Sequence, residues 1–332
     1  MASLECIAEL TGHLDRVWYV SWSPNGDFLV SCSGDKSIRV WKIDLESPQN
    51  CECQTILNDA HEKSIRRCAW HPNNDDLFAC SSFDGAASVW AKADEKTWIC
   101  GATLESHESE VKGVAWSGDG EHIATSGRDK VVCVWDCIDD GETRDFDCNG
   151  VLRGHTQDVK VVAWNPIRPI LYSGSYDMSI REWQNKGDDW VCTNVLEGHS
   201  STVWDITTDP TGERLASCSD DSSIIFWGKK FDADTKQAVW TADRTINGLH
   251  DGRPIYSIAW SLNGLVATGA GDNTVSIYSE NESHEWKEIA RDVHKDSDVN
   301  CVAWCPNPEY SNILASCGDD GIIKIWRLKT SN

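Results

Sequence analysis

Seven histidines recur along the chain at intervals of 44 to 51 residues: His13, His61, His107, His155, His199, His250 and His294. Each is followed, 22 to 26 residues later, by an aspartate: Asp35, Asp84, Asp129, Asp177, Asp221, Asp272 and Asp320. Six residues after each aspartate stands a large aromatic: Trp41, Trp90, Trp135, Trp183, Trp227, Tyr278 and Trp326. A repeat of this period, with a late aromatic in each copy, is typical of propeller blades. Seven copies predict an all-β fold, a seven-bladed β-propeller formed as a single domain by residues 1–332.

The runs between these markers, such as SIRVW and VVCVW, alternate and are rich in Val, Ile and Trp. Such runs read as strands, and the NG, DG and GD steps between them read as turns. Six blades carry a hydroxyl four residues before the aspartate: Ser31, Thr125, Ser173, Ser217, Thr268 and Ser316. The set resembles the tetrad of WD-repeat proteins, in which Trp, Ser or Thr, His and Asp satisfy one another as buried polar groups. Blade 2 has Cys80 and blade 6 has Tyr278, so we expect weaker networks there.

The two ends of the chain are expected to close the ring. A strand-like run precedes every later histidine, but none follows the last blade, which ends at IWRL. Residues near Glu5–Leu10 are the run left over at the start of the chain. We therefore predict that they supply the outer strand of blade 7, since closure removes exposed sheet edges.

Charge and composition exclude several classes of partner. The chain has 30 Lys and Arg against 53 Asp and Glu, a net charge of −23, whereas nucleic-acid and anionic-membrane binders carry basic surfaces. No run of 18 apolar residues is present, and the start MASLECIAEL lacks the pattern of a signal peptide. These features predict a cytosolic or nuclear protein that binds neither nucleic acid nor membranes. The cysteine count of 15 is odd, which argues against a disulfide framework.

Catalytic and metal sites are the alternatives to a binding protein. Ser, His and Asp could form a hydrolase triad, but the set occurs in repeated copies together with an aromatic, which favours a structural role. Cys32, Cys218 and Cys317 share one repeat position and belong to different blades, so they should not converge on one metal. Buried cysteine acting as a small apolar side chain is the better interpretation. We therefore expect no enzyme activity, no metal site and no bound cofactor.

Two insertions between blades have no repeat counterpart. The acidic run from Asp139 to Glu142 is expected to be a solvated loop. The longest insertion, about Gly228–Val239, is expected to be a plain loop on the side of the propeller, with a docking arm as the alternative.

The resemblance to WD-repeat proteins also implies where a partner would bind. In those proteins, the residue after the one that begins the innermost strand, and the residue just before the tetrad aspartate, face the mouth of the top surface. Here these positions include a basic and aromatic set, which we take as candidate partner-binding residues: Trp18, Arg66, Phe83, Lys112, Arg128, Lys160, Tyr176, Trp204 and Tyr256. Such residue types are enriched in interface hot spots. We expect them to bind an acidic, aromatic-containing segment, with Phe83 and Tyr176 flanking Arg128; the alternative is an ordinary solvated rim.

Several longer stretches resemble one WD-repeat family along nearly the whole chain. They are ESHESEVKGVAW, SGRDKVVCVW, HTQDVKVVAWNP, DDWVCTNVLEGHSSTVW, RLASCSDD, and the closing DVNCVAWCPNP with ILASCGDD. They are similar to the WD-repeat scaffold subunit of the cytosolic iron–sulfur protein assembly (targeting) complex. The resemblance implies a non-catalytic scaffold that binds other subunits and apo-protein clients. Another WD-repeat scaffold, of a chromatin or ubiquitin-ligase complex, is the alternative; Trp135–Asp136–Cys137–Ile138 lacks the Arg that a ligase receptor would carry.

Overall fold

Alternating apolar side chains build the chain into four-stranded antiparallel sheets arranged as seven blades. The computed structural model describes residues 2–59, 61–139, 144–187, 189–232 and 237–330. Blade 1 is β2 (Val17–Trp22), β3 (Phe28–Ser33), β4 (Ile38–Lys42) and β5 (Glu52–Leu57), and blade 2 is β6 (Ile65–Trp70), β7 (Leu77–Ser82), β8 (Ala86–Lys92) and β9 (Trp98–Glu105). Blade 3 is β10 (Val111–Trp116), β11 (His122–Gly127), β12 (Val131–Asp139) and β13 (Arg144–Arg153), and blade 4 is β14 (Val159–Trp164), β15 (Ile170–Ser175), β16 (Ile180–Asn185) and β17 (Trp190–Leu196). Blade 5 is β18 (Val203–Thr208), β19 (Arg214–Ser219), β20 (Ile224–Asp232) and β21 (Gln237–Ile246), and blade 6 is β22 (Ile255–Trp260), β23 (Val266–Ala270), β24 (Thr274–Glu280) and β25 (Trp286–Val293).

Blade 7 confirms the predicted closure of the ring. It consists of β26 (Val299–Trp304), β27 (Ile313–Gly318) and β28 (Ile323–Lys329), with β1 (Ser3–Leu10) as its outer strand. The register of β1 against β28 runs from Ser3 opposite Lys329 to Leu10 opposite Ile323. The two ends of the chain therefore share one sheet, and the seven-bladed fold is the one that the repeats predict. No helix in the described ranges approaches the length and apolar character needed to cross a membrane.

The core lies between neighbouring blades. Val30 and Val40 of blade 1, for example, pack in one buried cluster with Ile65 and Phe78 of blade 2. Each sheet thus buries side chains on both faces, and the second strand of a blade, such as β7 or β15, is buried at every residue. The outer strands are exposed on one side, so they alternate and carry polar residues.

The long insertion lies within blade 5, between its two outer strands, and is not a plain loop. Strands β20 and β21 continue through it as a hairpin, with Gly228 opposite Thr241 and Lys230 opposite Val239. The expectation of a loop over Gly228–Val239 is therefore wrong for the paired residues, because the two strands continue their antiparallel pairing through them. Residues 233–236 lie outside the described residues. Asp139 ends β12, so it is not in a loop, and residues 140–142 of the acidic run also lie outside the described part.

Five outer strands share a cysteine at one position, directly opposite the tetrad aromatic of the neighbouring strand. The cysteines are Cys6, Cys53, Cys100, Cys148 and Cys192. The pairing register shifts at each of these sites, as in a β-bulge, and each Sγ lies 3.4 to 3.9 Å from the carbonyl oxygen two residues later. A small side chain with a weak donor can close such a bulge locally, so these cysteines have a structural role.

The remaining cysteines are mostly buried. Cys32, Cys218 and Cys317, which share a repeat position, lie in three different core clusters, as the sequence predicts. Sequence reasoning missed that Cys32 shares one cluster with Cys68 and Cys80. Burial raises the pKa of Cys68 and of Cys80 well above the usual value, so both stay as neutral thiols. Among the described residues, no group of three or more His, Cys, Asp or Glu side chains is arranged to hold a metal ion.

Candidate protein-binding site at the mouth of the propeller

The tetrads fix the loops around the top of the propeller. In blade 4, His155 Nδ1 lies 2.8 Å from Asp177 and Nε2 lies 2.7 Å from the Ser173 hydroxyl, which also accepts a 2.8 Å hydrogen bond from the Trp183 indole. Burial raises the pKa of Asp177, but hydrogen bonds from His155 and Ser179 outweigh burial and hold that pKa well below its usual value. The Ser173 hydroxyl is buried within this network, so it is not placed to attack a substrate.

The blade 2 network is complete, contrary to the sequence expectation. Ser88, directly opposite Cys80 on the next strand, supplies the hydroxyl. It lies 2.8 Å from His61 Nε2 and accepts a 2.8 Å hydrogen bond from the Trp90 indole. Paired strands bring the two positions side by side, so a hydroxyl from either strand can complete the network. The sequence signal was present as a serine two residues before Trp90.

Blades 6 and 7 depart from the common geometry. In blade 6, His250 keeps Asp272 at 2.9 Å and Thr268 at 2.7 Å, while Tyr278 fills the aromatic position, so only the indole hydrogen bond is lost. In blade 7, His294 turns Nδ1 toward Ser316 and leaves Nε2 3.5 Å from Asp320, the longest His–Asp contact of the seven. The wider spacing of 26 residues between His294 and Asp320 was the sequence signal for this difference.

A repeated backbone irregularity aims one side chain per blade at the mouth of the central channel. In all seven blades, the pairing register of the innermost strand shifts around its second residue. These residues are Trp18, Arg66, Lys112, Lys160, Trp204, Tyr256 and Asn300. A bulge re-aims the side chain of the extra residue, so the fold presents these seven positions as a ring, which we call the mouth.

Aromatic rings form one arc of the mouth. Trp204 meets Tyr176 and Tyr256 edge to face, with ring centroids 6.1 and 5.3 Å apart. The Lys160 ammonium lies 4.0 Å from the Trp204 ring centroid and 4.5 Å from that of Tyr176, and its Nζ donates a 3.1 Å hydrogen bond to the Tyr176 hydroxyl. The sequence-predicted Lys160, Tyr176, Trp204 and Tyr256 therefore lie together.

The cations of blades 2 to 4 differ in their partners. Lys112 lies 2.5 Å from Asp158, and Arg128 lies 3.2 Å from Glu110. Arg66 and Lys160, in contrast, have no carboxylate within 4.0 Å among the described residues. Arg66 instead lies against Trp18, with its guanidinium carbon 4.9 Å from the ring centroid.

The ring contacts of Tyr176, one of the two aromatics expected to flank Arg128, are with other residues. Tyr176 packs with Lys112, Lys160 and Trp204, and among the described residues no aromatic ring lies over the Arg128 guanidinium. The Arg128 side chain is 59% exposed, since its ion pair with Glu110 forms on the rim. Phe83, half-buried on the same rim, is also outside the lining of the central cavity.

A cavity of about 180 Å³ opens at the mouth, and Trp18, Arg66, Trp204 and Tyr256 line it. Its walls differ in charge. Asp298 and Asp319 of blade 7 line the side opposite blades 2 to 4, together with Arg16, which lies 3.4 Å from Asp319. Burial and the nearby Asp298 raise the pKa of Tyr256 to about 12. Sequence reasoning missed Arg16 and Asp298, which lie outside the two ring positions considered.

An ion pair joins the innermost strands of two opposite blades. Arg67 of blade 2 lies 3.1 Å from Asp205 of blade 5, and the Asp205 carboxylate also accepts hydrogen bonds from Ser257 and from the backbone of Ile258. Arg67 also stacks on Tyr19, with 4.2 Å between the guanidinium carbon and the ring centroid. Because this pair links opposite blades, it stabilises the centre of the ring.

Comparison with known proteins places these features in a family. The profile of the WD domain, G-beta repeat family matches seven segments: residues 4–42, 51–91, 98–136, 146–184, 190–228, 244–279 and 287–327. The chain is 34% identical over 98% of its length to the probable cytosolic iron–sulfur protein assembly protein 1 of Vanderwaltozyma polyspora, covering 99% of that protein. It is 38% identical over 95% of its length to the probable cytosolic iron–sulfur protein assembly protein CIAO1 homolog of Caenorhabditis elegans, covering 94% of it. It is also 33% identical to the probable cytosolic iron–sulfur protein assembly protein 1 of Candida albicans, and the match covers 98% of this chain and 100% of that protein.

Proposed function

Because this chain belongs to the WD-repeat family of cytosolic iron–sulfur protein assembly proteins, we propose that it is a non-catalytic scaffold of that machinery, which holds apo-protein clients and other assembly subunits. The names of its relatives support a role in iron–sulfur protein assembly and a cytosolic location. They favour this role over that of a scaffold in a chromatin or ubiquitin-ligase complex. Its clients would be cytosolic and nuclear apo-proteins, with the iron–sulfur cluster as cargo delivered by the complex.

The observation that carries a binding role is the mouth itself. Seven bulged strands present side chains there, and several are the residue types that dominate interface energetics. The Ser–His–Asp sets, by contrast, are enclosed structural networks. We therefore assign the acidic, aromatic-containing segment of a client to the mouth over blades 2 to 4, with Trp204 and Tyr256 as its apolar wall.

The test uses purified components: this protein, the other assembly subunits and one apo-protein client from the same organism. The double variant Trp204→Ala/Tyr256→Ala should weaken client binding by about tenfold or more, since it removes two large contact surfaces. Phe231→Ala is the control, because Phe231 is an exposed aromatic on the hairpin of blade 5, away from the mouth. Wild-type affinity in the mouth variant, with loss of binding in the control, would move the client site to the side of the propeller.

A further inference from the structure

We infer that blade 7 is a latch, at which the ring opens while the other six blades stay folded. The latch has two parts, which are strand β1 and the network of His294, Ser297, Ser316 and Asp320. The two parts release together, because the network holds the turn against which the chain after β1 packs. The inference goes beyond the proposed function, since it concerns how the ring opens and not what the mouth binds.

The aspartate of blade 7 is held by fewer hydrogen bonds than its counterparts. In blade 4, Asp177 accepts hydrogen bonds from a backbone N–H at 2.9 Å and from the Ser179 hydroxyl at 2.6 Å, among others. Asp320 accepts a 3.0 Å hydrogen bond from the backbone N–H of Ile322, while His294 lies 3.5 Å away, beyond the normal length of a hydrogen bond. Because Ile322 stands where blade 4 has Ser179, the side-chain donor is missing in blade 7.

Three buried polar atoms of this network have no hydrogen-bond partner among the described residues: His294 Nε2, Asp320 Oδ2 and the Ser297 hydroxyl oxygen. The His294 side chain is fully buried, and that of Asp320 is 9% exposed. A buried polar atom without a partner is unfavourable, and water satisfies it as soon as the structure opens. Within the described part of the chain, the tetrad His and Asp of the other six blades are not left in this state. Opening is therefore easier at blade 7 than elsewhere in the ring.

Strand β1 is held in blade 7 without a connecting turn. In blade 4, β16 leads directly into β17, so the two strands stay close when their pairing breaks. In contrast, β1 is followed by blade 1, and its partner β28 is distant in sequence, so pairing them again must close a long loop. Leu4 and Leu10 are the two buried side chains of β1. Its two ion pairs with β28 are partly exposed and therefore contribute little.

The turn after Asp320 joins the two parts of the latch. Gly321 lies so close to the chain after β1 that an added Cβ would be 3.3 Å from the His13 carbonyl oxygen. Ile323, two residues further along, is paired opposite Leu10, the last residue of β1. Asp320 accepts its backbone hydrogen bond from this same turn. Because Asp320 is weakly held, the support for the end of β1 is weak as well.

Hydrogen–deuterium exchange of the full chain, resolved to single amides by fragmentation mass spectrometry, tests the latch. We expect β1 and the amides of β28 that face it to exchange at one common rate, about tenfold faster than those of β16 and β17 after correction for intrinsic rates. Equal exchange in blades 7 and 4 would overturn the inference. Fast exchange confined to residues 3–6 would overturn it too, because it would show fraying of one strand end instead of release of the whole strand.

Ile322→Ser and Ile322→Ala form a matched pair that isolates one hydroxyl. The backbone N–H of Ile322 bonds Asp320 as that of Ser179 bonds Asp177, so a serine hydroxyl would lie where blade 4 has one. Both variants lose the same half-buried apolar side chain. We expect β1 to exchange about fivefold more slowly in Ile322→Ser than in Ile322→Ala, with β17 alike in both. Equal exchange of β1 in the two variants would break the link between the network and the strand, and the latch would be wrong.

Ser179→Ala makes the reverse change in blade 4. It should speed the exchange of β17 and leave that of β1 unchanged, because each blade carries its own network. Faster exchange of β1 in this variant would mean that the ring opens as a whole, which contradicts a latch at one blade. Client binding enters none of these measurements, so their outcome is independent of the proposed function.

Discussion

Arg67 and Asp205 join opposite sides of the propeller through an ion pair of 3.1 Å, although 138 residues separate them in sequence. Their side chains are only 12% and 3% exposed, and Asp205 is also hydrogen-bonded to blade 6 through Ser257. The pair therefore ties together blades 2, 5 and 6 around the axis, where no sheet connects them.

Breaking this pair from one side should be costly. Asp205→Asn is expected to lower the free energy of unfolding by about 3–5 kcal/mol, because it leaves the Arg67 charge buried without its partner. Arg67→Met/Asp205→Leu, which removes both charges, should cost less than the single change. Urea unfolding measures both, and Arg168→Met, which breaks the exposed pair with Glu213, is the control with little effect. A double variant no more stable than Asp205→Asn would contradict the role of the unpaired charge.

The tetrads of blades 2 and 4 should be equally sensitive. His61→Ala and His155→Ala are each expected to cost about 1–3 kcal/mol, since each leaves a partly buried aspartate and a buried hydroxyl without the histidine. The measurement compares the urea midpoints of the two variants. Ser88→Ala should be costly as well, whereas Cys80→Ser should bring no gain, because Ser88 already fills the hydroxyl position. Tolerance of His61→Ala would show that Ser88 does not complete the network.

Acid should destabilise the protein in two steps. Burial lowers the pKa of His13, although its hydrogen bond to Asp35 acts against this. The folded state therefore favours neutral His13, whose contribution to the free energy of unfolding is complete above about pH 6.5 and declines below it. Burial raises the pKa of Asp272, but hydrogen bonding to His250 outweighs burial and lowers that pKa to about 2. Its contribution is therefore complete above about pH 4 and is lost as the pH falls toward 2.

The urea midpoint followed from pH 8 to pH 3 checks this sign. It should fall gently below pH 6.5 and steeply below pH 4. Asp272→Asn should be less stable at pH 7 and show a shallower decline below pH 4, because the titrating group is gone. A midpoint that rises on acidification would contradict the assignment.

The thiols should differ sharply in reactivity. Cys6, Cys100, Cys148 and Cys192, exposed on the outer strands, are expected to react with a maleimide in the folded protein. The buried cysteines should react only after unfolding: Cys32, Cys68, Cys80, Cys133, Cys218, Cys301, Cys305 and Cys317. Mass spectrometry of the labelled peptides reads out each site. Labelling of Cys68 or Cys80 in the native protein would mean that the wall between blades 1 and 2 opens.

The spacing of His, Asp and aromatic residues determined the number of blades, the ring closure by Glu5–Leu10 and most tetrads. These features are repeated and local, and a sequence period records them directly. The resemblance to WD-repeat proteins, applied to the same place in each repeat, also identified positions at the mouth. Lys160, Tyr176, Trp204 and Tyr256 do lie together there.

Tertiary structure decided which of these side chains have partners. Ser88 replaces the missing hydroxyl only because β7 and β8 are in register, and Glu182 is buried with a hydrogen bond from Trp240 of the next blade. Arg128 and Lys160 are equivalent as charges in a sequence, yet Glu110 matches the first and an indole ring covers the second. The free energy of a charge depends on distances of a few ångströms to groups that are remote in the chain, and only the closed ring of blades sets those distances.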